Sequence, residues 1–183
     1  MRLFLAALLL AGCSQKTSFQ PFTEASGAFT AELPSNWQRD GHEDLRKTPA
    51  AVMTWIAELV DQSEGYQVGT MIHINRFQRK GATPAFKKST LAPTDALFGS
   101  GKLPADVSVM TVSGHPARRL QREFEQNLGG GMHAKKGPFA MRLEDVVIQT
   151  PDAYYALEYR STKDLFDKHH GAFERLLATI RIP

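Results

Sequence analysis

Six histidines, His42, His73, His115, His133, His169 and His170, are the side chains of this 183-residue chain best suited to ligate a metal or move a proton. No two of them have the H-x-E or H-E-x-x-H spacing that sets ligands on one face of a zinc site. His169 and His170 are adjacent, so on a helix they point about 100° apart. This spacing predicts His169 at a core edge and His170 in solvent. "GSGK", residues 99–102, has the look of a phosphate loop. The P-loop pattern needs Gly where Ala96 stands and Ser or Thr where Leu103 stands. Ser113-Gly114-His115 offers a hydroxyl and a base, but the G-x-S-x-G elbow is absent and adjacency does not make a triad. Glu123 and Glu125 share one face of an expected exposed strand, whereas a glycosidase pair needs a cleft between its carboxyls. The chain is therefore read as a non-enzyme, with no cofactor, no metal site and no catalytic residue.

The sole cysteine, Cys13, has a different meaning. Arg2 is followed by nine apolar residues, Leu3 to Ala11. That run is too short to span a bilayer, which takes about 20 residues, but it suits the core of a signal peptide. Leu10-Ala11-Gly12-Cys13 then resembles the lipobox of bacterial lipoproteins. The resemblance implies cleavage before Cys13, a diacylglycerol on its thiol and acylation of the new amino terminus. Two or more acyl chains anchor stably. The alternative is an ordinary cleaved signal with an incidental cysteine. Ser14, in place of the aspartate that retains lipoproteins at the inner membrane, favours the outer membrane, facing the periplasm, in a Gram-negative cell. With Cys13 lipidated, no disulfide can form, and stability must come from the core. Residues 1–12 are expected to be the signal, 13–26 the lipidated cysteine and a short polar tether, and 27–183 a single domain.

An apolar content of 42% with eleven Phe, four Tyr and two Trp fills one core and excludes disorder as the overall state. Charge is uneven. Residues 65–142 carry twelve Lys or Arg against four Asp or Glu, while the segments on either side are net acidic. Arg76, Arg79, Lys80, Lys87 and Lys88 occur with no acid between them. They are read either as a solvated basic face or as a contact for anionic headgroups, lipopolysaccharide or an acidic protein. An exported lipoprotein excludes nucleic acid as the partner.

The elements follow from periodicity. "GAFTAEL" alternates as a half-buried strand; "PSNW" turns, with Trp37 folding back as a core plug. "AAVMTWIAEL" and "YQVGTMIHINRFQ" read as a hairpin. "TPAFKKSTL" reads as a helix entered at Pro84. Four strands follow: "DVSVMTVS", "ARRLQREFEQN", "FAMRLEDVVIQT" and "YYALEYRS". A closing amphipathic helix over 161–180 aligns Leu165, His169, Phe173, Leu176, Leu177 and Ile180, with Ser161 and Asp164 as a capping box. Short turns between successive strands predict an antiparallel sheet flanked by helices, an α+β class. On the last strand Tyr155, Leu157 and Tyr159 share a core face. Tyr154 lies on the other face with Glu158 and Arg160, either as an exposed interface residue or as a structural tyrosine with its hydroxyl at the surface.

Three stretches together, "GAFTAELPSNW", "VSGHPARRLQREF" and "AYYALEYRSTKDLFDKHHGAFERLLATIRI", resemble the PsbP/Mog-type superfamily, in order and over most of residues 27–182. The resemblance implies an α/β/α sandwich around an antiparallel sheet. Its bacterial members, DcrB-like and LpqN-like, are often lipoproteins, and members mostly bind proteins rather than catalyse. The chain departs from the pattern in "GGGMHAKKGP", whose Lys135 and Lys136 are candidate interface residues. The expected function is a membrane-anchored accessory module of the cell envelope with a protein partner. The alternatives are a binder of lipid or a small hydrophobic ligand, in a pocket between sheet and helix, and a hydrolase of unrecognised type.

Overall fold

A computed structural model describes residues 18–24, 26–40, 51–59, 70–78, 97–98, 103, 105–127 and 138–183. For 38–40, 51–59, 77–78 and 127 the description covers the backbone. Cys13, Arg79, Lys80, Lys87, Lys88, Lys135, Lys136 and the helix expected over 83–91 lie outside the described residues.

A seven-stranded antiparallel sheet organises the domain, in the order β3-β4-β5-β9-β8-β7-β6. The strands are β3 (Gln38–Asp40), β4 (Ala51–Leu59), β5 (Thr70–Gln78), β6 (Val107–Val112), β7 (His115–Asn127), β8 (Pro138–Gln149) and β9 (Ala153–Thr162). It joins two meanders, with β5 laid antiparallel beside β9 at the centre. The turn between β6 and β7 places both Ser113 and Gly114 at positive φ, 52° and 78°. That is the type I′ geometry that matches strand twist in a two-residue hairpin. The helix α1 (Lys163–Thr179) packs on one face. The α+β class with a closing amphipathic helix is thus observed.

The sheet's alternation sorts side chains onto two faces. Toward α1, Ile72, Ile74, Val146, Ile148, Tyr155, Leu157 and Tyr159 meet Phe166, Phe173, Leu176, Leu177 and Ile180 in the main core. Tyr159 packs edge-on to Phe166 at 4.7 Å and stacks with Phe173 at 5.5 Å between centroids. Both phenylalanines are essentially inaccessible. Among the described residues, the space between α1 and the sheet is filled by these aromatic rings, which counts against the alternative of a ligand pocket there. On the opposite face Leu97, Leu120, Val147, Tyr154 and Ala156 form a smaller cluster, with Leu97 and Phe98 in helical conformation above it.

Four expectations need correction. The tether expected over 13–26 includes a strand, β1 (Phe19–Thr23). It pairs antiparallel with β2 (Thr30–Pro34), which carries the alternation of "GAFTAEL". Pro21 hides this strand in the sequence; it is tolerated because β1 is an edge. The turn between them is held by Glu24, whose Oε2 accepts from the amides of Ser26 (2.8 Å) and Ala28 (3.2 Å), with Gly27 at φ 74°. The helix stripe runs through Phe166 rather than Leu165, because the larger ring fills the space against Tyr159. No capping box forms: Thr162 is the N-cap, and Ser161 belongs to β9, buried and bonded to Thr70 at 2.8 Å. Tyr154 is 3% exposed and lies 5.9 Å from the Phe98 ring, so it is a core residue of the second face and offers no free aromatic surface. Trp37 is a buried core residue, as expected.

The N-terminal pair β1–β2 is stitched to the far end of α1. Thr30 and Arg181 exchange backbone bonds of 3.0 and 2.8 Å. The Glu32 amide donates to Thr179 Oγ1, and Arg175 pairs with the Glu32 carboxylate. Phe19 and Phe22 pack against the main core from this side.

Candidate functional site

The strongest convergence of polar groups lies at the seam between α1 and the sheet. β8 alternates, so Glu144 and Asp145 are sent to opposite faces. Glu144 faces the helix and is wholly buried. Its Oε2 contacts His170 Nε2 at 3.0 Å and accepts from Gln121 Nε2. Its Oε1 lies 2.7 Å from Arg119 Nη2 as an ion pair. Arg119 also donates to Glu174, and His170 sits 3.5 Å from the same carboxylate, one turn along α1. Burial pulls Arg119 down, but Glu144 and then Glu174 more than offset it and hold the guanidinium above its ordinary value. His170 is set by a stack on Phe166, at 5.2 Å between centroids. Contrary to the expectation of a solvated ring, His170 is drawn against the sheet by Glu144, while His169 is half-buried, as expected at a core edge.

Ligand atoms of Glu144, His170 and Glu174 lie within 4.8 Å of one another, a donor set of the kind zinc accepts. Arg119 stands among them, in contact with both carboxylates, so a guanidinium fills the place of a cation. The arrangement neutralises a buried charge and fastens α1 to β7 and β8. Arg142 adds to the clamp, with its guanidinium 4.5 Å from the Phe166 centroid and its donors on Asp167 (3.2 Å) and Gln121 (3.1 Å). Tyr159 gives its hydroxyl to the Phe166 carbonyl at 2.7 Å, and its pKa is pushed up chiefly by burial.

The second face carries a different cluster. Asp145 stands directly opposite Glu158 across β8 and β9. Burial first, and the facing Glu158 next, push Asp145 up to about 7, against the hydrogen bond from Arg122 at 2.8 Å. Glu158 is also raised, by burial, with Arg160 and Arg122 opposing. Arg160 donates to the Met71 sulfur at 3.1 and 2.8 Å. Two like carboxyls face each other here, with Arg122 on Asp145 and His73 Nδ1 3.9 Å from Glu158.

Of the residues singled out from sequence, Arg76 is described and is already engaged. It bonds Asp152 at 2.9 Å and the Tyr155 hydroxyl at 3.2 Å. Tyr155 in turn donates to the Ala28 carbonyl. Glu123 pairs with Lys163 at 2.8 Å on the surface, and that hydrogen bond holds its carboxyl below the usual range. Neither glutamate of "REFE" lies in the seam. The signal for the seam was present as two adjacent acids inside the apolar run of β8 and as His170 with Glu174 one turn apart. Their partners on β7 and β9 depend on sheet register, which no motif records.

The fold defined by this geometry is an antiparallel α+β domain, a seven-stranded sheet closed by a C-terminal helix. No family model matches the chain, and no curated protein matches it in sequence. Among solved structures it is similar to LpqN of Mycobacterium tuberculosis, a protein involved in cell envelope biogenesis. That match has 14% identity and a TM-score of 0.54 over 91% of each chain. It is also similar to the cyanobacterial PsbP of Synechocystis, at 11% identity and a TM-score of 0.50, over 96% of this chain and 99% of that one. A Bacteroides thetaiotaomicron protein matches at 12% identity and a TM-score of 0.54, over 89% of this chain and 48% of its own. The chain thus spans about half the length of that protein. These likenesses show the fold. Among the described residues, no helix is long and apolar enough to cross a membrane.

Proposed function

We propose that the chain is a lipid-anchored, non-catalytic module of the bacterial cell envelope that binds a protein partner close to the membrane. The observation that carries the non-catalytic reading is the seam. Its acids, histidine and arginine are spent on one another, with Arg119 in the cation position, and they hold a helix to a sheet. Anchoring is supported by Leu10-Ala11-Gly12-Cys13 behind its apolar run. The envelope setting is supported by likeness to a protein of envelope biogenesis. Arg79, Lys80, Lys87 and Lys88, and Lys135 with Lys136, stay as proposed contacts for anionic surface or partner.

The position of β1 tightens this reading. The Ser18 carbonyl beside it already accepts the Ser35 amide, so only Ser14 to Thr17 separate the proposed anchor at Cys13 from the first bonded residue. At about 3.3–3.6 Å per extended residue, four residues reach roughly 14 Å. A partner must therefore be met beside the membrane surface. Cys13→Ala in the full chain tests the anchor. The variant should leave the membrane fraction and lose acyl label, while an inhibitor of lipoprotein signal peptidase should leave the unchanged chain uncut. Normal maturation under the inhibitor, or unchanged membrane association of the variant, would remove the anchor.

A further inference from the structure

The two edges of the large sheet are built differently. β3 is three residues long and reads Gln38-Arg39-Asp40, so it is short and charged. Those are the devices that stop an edge from recruiting another strand. β6 has neither. It reads Val107-Ser108-Val109-Met110-Thr111-Val112, without charge or proline, and among the described residues it pairs only with β7. Val109 is 65% exposed, and Ser108 and Thr111 are exposed beside it.

We infer that β6 pairs with β6 of a second copy of this chain, making a continuous sheet across a two-fold axis at Val109. Opposed residues of an antiparallel pair point to the same face, so a symmetric register must place a residue opposite itself. With Val109 at the axis, Val109 meets Val109 and Val107 meets Thr111 of the second copy. That row is wholly β-branched, a favourable set of cross-strand pairs. No charge of β6 meets its own kind. The blunted β3 edge stops further addition, so the assembly closes as a dimer rather than growing as a filament.

The two-fold axis is perpendicular to the sheet and keeps each face on its own side. α1 of both copies, with the β1–β2 pair fastened to it, therefore lies on one side of the joined sheet. Both N-terminal strands then sit toward the same side, as two chains tethered to one membrane require. This last point rests on the anchored reading; the edge argument does not.

The test uses the full chain. Extracted into detergent, it should sediment at twice its chain mass. Val109→Lys puts like charges at the axis and should weaken the dimer by at least about tenfold. Because Val109 is exposed, the variant should keep its thermal transition; Thr111→Lys, facing Val107 of the second copy, is the second variant should it not. In membranes, Val109→Cys should form a disulfide-linked dimer under mild oxidant, beyond any formed by the unchanged chain through Cys13. A monomeric unchanged chain, a dimer indifferent to both lysines, or no added crosslink would overturn the inference. Sedimentation reads association whether or not Cys13 carries lipid, so loss of anchoring with a surviving dimer would sink only the membrane argument.

Discussion

The two faces of the central sheet bury acids from the same strand, and they handle them differently. On the helix face Glu144 is fully inaccessible and meets Arg119, His170 and Gln121. On the second face its neighbour Asp145, nearly as buried, meets Arg122 and a facing acid, Glu158. Depth of burial therefore does not decide the fate of a carboxyl. The number and sign of the groups that share its pocket decide it. The first face ties its acid to Arg119, His170 and Gln121, and on the second face burial and the facing Glu158 raise Asp145.

The largest break in this contrast should come from Arg119→Ala. It leaves Glu144 buried without its counter-charge, and removing one partner of such a pair costs about 3–5 kcal/mol. Urea denaturation should show that loss, and Glu144→Gln, which removes the charge as well as the pairing, should lose clearly less. Next comes Tyr154→Ala on the second face, at about 3 kcal/mol for a buried ring. A variant that keeps its urea midpoint would return Tyr154 to the surface.

The pH response sharpens the comparison further. Asp145 in the folded state binds its proton up to about 7, above its ordinary 3.8. Between those values the folded chain holds more protons than the unfolded one, so this group's contribution to stability is lost as pH rises through that window. Asp145→Asn should flatten the slope, with a remainder from Glu158. An unchanged slope would mean that Asp145 is ionised throughout. The smallest effect belongs to the exposed pair: Lys163→Ala should leave the thermal midpoint within error.

The parts of the fold readable in the sequence are those set by local period. Alternation predicts one core face for Tyr155, Leu157 and Tyr159, and that face is where they lie. The turn read in "PSNW" predicts Trp37 as a core plug; the turn lies at Ser35 and Asn36, after β2, and Trp37 is buried. The misreadings come from positions where tertiary contacts outweigh local pattern. β1 looks like a polar tether because its partner β2 supplies the missing order. Ser161 looks like a cap, but Thr70 across the sheet claims its hydroxyl. Leu165 and Phe166 both suit a helical stripe, and the ring against Tyr159 decides between them. The seam was legible as odd residues and illegible as a group, since Arg119, Glu144 and His170 meet only once three elements are in register.

The β1–β2 pair also has a mechanical meaning. Tension applied at Cys13 would enter the fold at Ser18 and be borne first by the β1–β2 ladder and the bond from the Ser35 amide to the Ser18 carbonyl. The large sheet lies behind the Thr30–Arg181 link and the end of α1. In a chain anchored at Cys13, peeling β1 away would free its five residues, adding roughly 17 Å of reach at about 3.3–3.6 Å each, and would withdraw Phe19 and Phe22 from the edge of the main core. The element that meets the load first is thus one whose release lengthens reach while the ladders of the seven-stranded sheet stay paired.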